Sequence, residues 1–358
     1  MAEVTEILRP DDSNWGTWLD RAPHDFYHCA AYHTFAERMG EGHAQLLVYG
    51  TAQQFLAWPY LLTSIDESEQ VDANSVYGYS GPIGVGLEDS DFCVRAWKAM
   101  LAVWAEQRLV SLFTRFHPIL GSHAYCEDMH GVVAPHGEEL LCLGRSVSID
   151  LSRSRDERRS AYPKILRQEI QAAERAGLGV EYDERWAHYA TFAELYRTTM
   201  RKNNANERYL FSPQYFEGLR AALGNDGHLL VAHKNGEVAA TLLFTVRGQI
   251  AQAHLTGVNP LFHALSPLKL LLDELAEIAR GLGARLLHLG AGRGGKEDSL
   301  YKFKSRFSLL RHDFVVGRWV LDAEAYRALV DARYVQTANN TGFFPEYRCP
   351  HPSSETEE

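Results

Sequence analysis

The hydrophobic pattern of this chain switches repeatedly between the 3.6-residue period of an amphipathic helix and short apolar runs of strand length. In the first half it predicts a helix near 29–40, strands over 44–50 (AQLLVYG) and 55–62 (FLAWPYLL), and a helix around 91–107. An alternating strand over 112–118 follows and ends at a proline. SVSIDLS at 146–152 reads as another strand, and Pro163 suits the first position of a helix that stops at Gly177. The second half repeats the theme, with helices at 187–202 and 213–223, strands at 228–233, 237–247 and 249–257, a helix at 266–282 and a strand at 285–289. The clearest element is 266–282, where Leu268, Leu271, Leu272, Leu275, Ile278 and Leu282 share one face ahead of Gly283. The two halves share no obvious repeat in primary sequence.

Length and composition set the frame. A chain of 358 residues, 46% hydrophobic and 23% charged, has the make-up of a globular α/β protein with room for two cores. The start, MAEVTEILRPDDS, lacks the apolar stretch of a signal peptide, and no apolar run approaches the roughly 18 residues of a membrane span, so a cytoplasmic protein without a membrane span is expected. Five cysteines without a CxxC pair indicate neither a disulfide framework nor a zinc ribbon, and no metal or cofactor is expected. His24, His28 and His33 have no HExxH-like carboxylate partner. The formal net charge of -10 argues against a DNA-coating protein, although it allows a local basic site. Basic residues concentrate in two segments, and Lys164, Arg167 and Arg175 of the first share a helical face opposite Leu166, Ile170 and Ala173. That face suits solvent or a row of phosphates.

The most informative stretch is 288–307, HLGAGRGGKEDSLYKFKSRF. Leu286, Leu287 and Leu289 read as the end of a buried strand, glycines 290, 292, 294 and 295 permit positive φ, and Asp298 or Ser299 can cap the helix that follows. On that helix Leu300, Phe303 and Phe307 share a face. Lys304 lies at its edge beside Tyr301, whereas Lys302 and Arg306 point away. Lys304 is therefore expected to be partly buried.

The pattern HLG, glycines, an acidic residue, SLY and FK resembles the C-terminal signature of the FemABX family. YGYSGPIG at 77–84, RFHP at 115–118, and the run from Ile149, Asp150 and Leu151 to Ala173 and Gly177 are similar to other parts of it. The resemblance covers about residues 14–325 and implies a tandem GNAT-like α/β fold: a first domain over 1–150, a second over 151–347 and a flexible tail over 348–358. The long charged helical arm of some members is missing. The activity implied is transfer of an amino acid from aminoacyl-tRNA to an amine acceptor, a peptidoglycan precursor or a small peptide natural product, with Lys304 acting at the ester carbonyl. Tyr301 or Phe303 would pack the terminal adenosine or orient the lysine stem. Asp150, His254 and Asp298 are candidate bases, although Asp298 serves equally as a cap and His254 equally as an inward-facing strand residue. Tyr77, Tyr79, Arg208 and Tyr209 are candidates for the acceptor. Lys164, Arg167, Arg175, Arg293, Lys302 and Arg306 are candidates for tRNA. Ordinary GNAT enzymes hold coenzyme A on a glycine-rich loop, and the corresponding junction here, GVNPLFHALSP at 257–267, lacks those glycines. The alternatives are an acyl-CoA-dependent N-acyltransferase and a noncatalytic scaffold.

Overall fold

The structure, a computed structural model, describes residues 2–65, 69–127, 138–334 and 342–349. Most of the expected tail over 348–358 lies outside the described residues. Contacts divide the chain into two units, one of Met1–Pro23, Tyr27–Cys142 and Val315–Glu358, the other of His24–Phe26 and Leu143–Phe314.

In the first unit β1 (Val4–Leu8) is followed by helices α1 (Asn14–Leu19) and α2 (Ala30–Arg38). Strands β2 (His43–Gly50), β3 (Phe55–Ser64), β4 (Val71–Asn74) and β5 (Ile83–Val85) come next, then α3 (Ser90–Glu106), β6 (Leu109–Arg115) and α4 (Ala124–Glu127). β7 (Glu138–Asp150), α5 (Arg155–Ala161), α6 (Lys164–Arg175) and β8 (Gly179–Tyr182) lead through α7 (Tyr189–Lys202) and α8 (Pro213–Leu223) to β9 (Gly227–Lys234), β10 (Glu237–Arg247) and β11 (Ile250–Val258). Then follow α9 (Pro267–Gly281), β12 (Leu286–Gly290), α10 (Ser299–Lys304), β13 (Leu310–Val320) and α11 (Ala323–Tyr334).

The two units follow one plan. In the first, β1 to β4 form an antiparallel meander, α3 crosses over, and β6 returns parallel to β4. In the second, β8 to β11 form the meander, α9 crosses over, and β12 returns parallel to β11. Two helices separate the first and second strands of each meander. The sixth strand comes from elsewhere in the chain: β13 lies antiparallel to β6, and β7 antiparallel to β12. This division differs from the consecutive 1–150 and 151–347 read from sequence, because the chain from Val315 onward groups with the first unit. Hydrogen bonding to a strand edge makes no demand on sequence proximity, so a linear reading does not reveal which edge a strand joins.

Each unit has its own core. Trp58, Trp97, Trp104 and Trp319 pack together in the first, with ring centroids 5.5–5.7 Å apart for Trp58 against the other three and for Trp97 against Trp104 and Trp319. In the second, Leu271 and Leu275 of α9 and Leu166 and Ile170 of α6 cover Leu242, Phe244, Leu287 and Leu289 of the sheet. α6 begins one residue later than expected, with Pro163 as its N-cap. Short elements such as β1, β4 and β8, together with β13, escape the sequence reading because four or five residues, or a strand interrupted by Arg311, Asp313 and Arg318, give periodicity little to register.

Candidate active site

β12 delivers the chain from the core of the second unit into the glycine loop. Gly290, Gly294 and Gly295 have φ of 83°, 60° and 85°, values an L side chain rarely adopts. Gly292 has an ordinary φ of -75°, and its need is space: a Cβ there would run into the Lys296 carbonyl and Asp298. Asp298 then caps α10, its Oδ1 accepting from the Tyr301 N–H at 2.9 Å and its Oδ2 from the Arg293 N–H at 3.2 Å. The same carboxylate thus ties loop and helix together.

Lys304 ends α10, and its Nζ donates to the carbonyl of Ala291 at 2.8 Å, leaving two further N–H donors. Burial disfavours the ammonium and brings its pKa down to about 8, opposed by the nearby charge of Asp298. Lys302 is exposed, as expected. The buried face of α10 differs from the expected one. Tyr301 and Phe307 are 6% and 3% exposed, Phe303 is partly buried, and Leu300 is 37% exposed. The helix has only six residues, and the turn that follows rotates the later positions away from an ideal wheel. The hydroxyl of Tyr301 accepts from Nε of Arg311 at 3.0 Å, which orients the ring beside the lysine's helix. Phe303 and Phe307 meet edge to face at 5.7 Å.

Of the three candidate bases, Asp150 lies elsewhere. Asp150 accepts from the N–H and hydroxyl of Ser152 at 2.9 and 2.7 Å, bonds that hold its carboxyl below the usual range. It pairs with Leu286, at the end of β12 remote from the glycine loop, about 13 Å along the strand from Gly290. Asp150 is a turn residue of that end. His254 lies on β11 with Phe26 edge-on at 5.4 Å, and burial lowers its pKa to about 4, against the opposing charge of Asp25. It sits on β11 past the last rung that strand shares with β12. Asp298 remains at the site as its cap.

The basic candidates fall partly together. Lys164 and Arg175 are exposed on α6, with Leu166, Ile170 and Ala173 buried on the other face. Arg167 donates to the Ser160 carbonyl at 2.9 Å. Tyr162 packs edge-on against Phe307 at 5.6 Å, and Glu169 of α6 lies 3.8 Å from Arg306, so α6 and the end of α10 are neighbours. Exposed Arg293 belongs to the loop. Other arginines of the same segment serve the fold: Arg155 and Arg159 flank buried Asp273 of α9 at 2.8 and 2.7 Å, and Arg158 pairs with Glu277.

The acceptor candidates belong to separate units. Tyr77 is partly exposed and its carbonyl accepts from the Tyr32 hydroxyl at 2.9 Å, and Tyr79 packs on Tyr27 and His117. In the second unit, Arg208 donates to the hydroxyl of Tyr209 at 3.1 Å with its guanidinium 4.9 Å from the ring centroid.

Residues 160–305 match the family described as acetyltransferase (GNAT) domain, a span that ends one residue past Lys304. With the same strand and helix order in both units, this decides the fold. The chain has a tandem GNAT fold. Among solved structures, FemX superposes with a TM-score of 0.71 at 13% identity, over 90% of this chain and 99% of that one. The C-terminal domain of a putative lysylphosphatidylglycerol synthetase from Agrobacterium fabrum gives a TM-score of 0.52 at 16% identity, over 88% and 95%. A conserved protein of unknown function from Bacteroides thetaiotaomicron gives 0.54 at 10% identity, over 82% and 90%. No curated protein matches the chain by sequence.

The junction that ordinary GNAT enzymes use for coenzyme A is built differently here. A 3-10 turn, Pro260–Leu265, fills it, and Pro267 opens α9 without an N–H to offer an anion. Among the described residues, no helix is long and apolar enough to cross a membrane.

Proposed function

We propose that this protein transfers an amino acid from aminoacyl-tRNA to an amine acceptor, forming an amide bond. The observation that carries the reading is Lys304, held by the Ala291 carbonyl at the mouth of a capped glycine loop with two donors left for a developing oxyanion. The ester of the donor is already activated, so positioning the amine and stabilising the oxyanion are the main tasks left to the protein. The amine attacks the ester carbonyl, the Lys304 ammonium stabilises the negative oxygen, and the ribose oxygen leaves. The exposed cations of α6, with Arg293, Lys302 and Arg306, supply phosphate contacts. The acceptor is a peptidoglycan precursor or a small peptide, with Tyr77, Tyr79, Arg208 and Tyr209 as its candidate contacts.

A second reading, acyl transfer from an acyl-CoA, is favoured by the acetyltransferase description of the matching family. Incubation with charged tRNA and either a free tripeptide or a lysine-bearing peptidoglycan precursor separates the two, with products followed by mass spectrometry. Product formation abolished by RNase is expected; turnover that survives RNase and requires acetyl-CoA selects the second reading.

A further inference from the structure

Asp25, Gln252 and His288 form a hydrogen-bonded chain inside the second unit, with 0%, 2% and 0% of their surfaces exposed. Oδ1 of Asp25 accepts from the Phe26 N–H at 2.7 Å, and Oδ2 accepts from Nε2 of Gln252 at 2.6 Å. The amide of Gln252 is thereby oriented, and its Oε1 lies 2.8 Å from Nδ1 of His288. An amide oxygen only accepts, so Nδ1 carries the ring proton and Nε2 is the acceptor of the imidazole.

The chain extends into a row across the sheet. Gln252 and His288 form the last rung between β11 and β12, although both strands run on. His288 is opposite Ser148 of β7, and Gln252 opposite Thr245 of β10. Residues opposite one another in a ladder project to one face, so the four side chains line up. The hydroxyls of Ser148 and Thr245 are buried and have no hydrogen-bond partner among the described residues. Leaving a buried hydroxyl unsatisfied costs about 1–3 kcal/mol, and an apolar row would avoid that cost. Three residues beyond His288 stands Ala291, whose carbonyl holds Lys304, so the two residues are at most about 11 Å apart along the backbone.

We propose that His288 accepts, through Nε2, the proton released by the attacking amine, and that Asp25 and Gln252 are positioning residues that fix its tautomer. The inference rests on the transfer reaction proposed above. The amine nitrogen bonds to the ester carbonyl carbon and its proton passes to Nε2. The ester C–O bond then breaks, and the imidazolium returns the proton to the leaving ribose oxygen. Because the row is closed to solvent, the amine reaches His288 where β11 and β12 part after the last rung.

Two measurements test this. Long-range ¹H–¹⁵N NMR of the whole protein should show His288 as the Nδ1–H tautomer, and Asp25→Asn, which lets the Gln252 amide turn, should mix the tautomers. In the charged-tRNA assay with the tripeptide or precursor as amine, His288→Gln should lower kcat about 10²-fold with KM little changed, and Asp25→Asn should lower it by less. An Nε2–H tautomer in the wild type, or full kcat in folded His288→Gln, overturns the proposal. If only acetyl-CoA supports turnover, the donor reading fails and the same kcat comparison with that donor decides the role of His288. No turnover with either donor overturns the catalytic role, while the NMR result still decides the tautomer.

Discussion

Lys304 combines a cation with a site that disfavours cations, and both properties can be measured. Loss of one preorganised oxyanion donor typically lowers kcat roughly 10²–10³-fold, so Lys304→Ala should lose about that much while Lys302→Ala, exposed on the same helix, should lose far less. Equal, small effects in folded variants would reduce Lys304 to a structural lysine. If the ammonium is the working form, its pKa of about 8 means that the rate should fall as pH rises through about 8. The sign for stability is the reverse. Below about 8 the folded protein holds a disfavoured charge, and between about 8 and the ordinary value of 10.5 the unfolded chain binds more protons, so stability rises with pH across that window. Lys304→Met should therefore resist urea better than wild type at pH 7 while losing about as much activity as Lys304→Ala, with the stability advantage shrinking above pH 8. Legibility at this scale was uneven. The offset of Lys304 from Phe303 and Phe307 was enough to expect its partial burial. The burial of Tyr301 in place of Leu300 depends on where a six-residue helix lands against the core, and no wheel contains that.

Elements divide the basic residues by what lies opposite them. Arg155, Arg158 and Arg159 of α5 face Asp273, Glu274 and Glu277 of α9 and are consumed in ion pairs, whereas Lys164 and Arg175 of α6 face solvent. If α6 meets tRNA, replacing Lys164, Arg167 and Arg175 with Ala should weaken tRNA binding and reduce the slope of log Kd against log salt by about one unit per lost phosphate contact. An unchanged slope would assign the face to solvent alone. Local periodicity found the apolar face of α6 correctly, with Leu166, Ile170 and Ala173 buried. It was blind to the α9 partners of α5, because those carboxylates come more than a hundred residues later.

At the scale of the whole molecule, the first unit depends on chain that arrives last. Trp319 of β13 is fully buried against Trp58, Trp97 and Phe116, and Tyr347 shares a hydrogen bond of 2.8 Å with Ser111 and another of 3.2 Å with Asp72. Trp319→Ala should cost about 3–5 kcal/mol of unfolding free energy by urea titration. A chain ending at Phe314 should lose the near-UV signal of the tryptophan cluster; retention of that signal would mean that the first unit folds without its sixth strand. Sequence by itself determined the α/β class, most of the longer helices and strands, the glycine loop with its capped helix, and the lysine to examine, because these follow from periodicity, capping and φ preferences that act over a few residues. Tertiary structure alone decided that β7 and β13 complete sheets built from distant segments, that Asp150 lies at the end of β12 remote from the glycine loop, and that Asp25 reaches Gln252 and, through it, His288. Those outcomes depend on which edges and side chains meet after folding, and a linear pattern carries no record of contacts made across hundreds of residues.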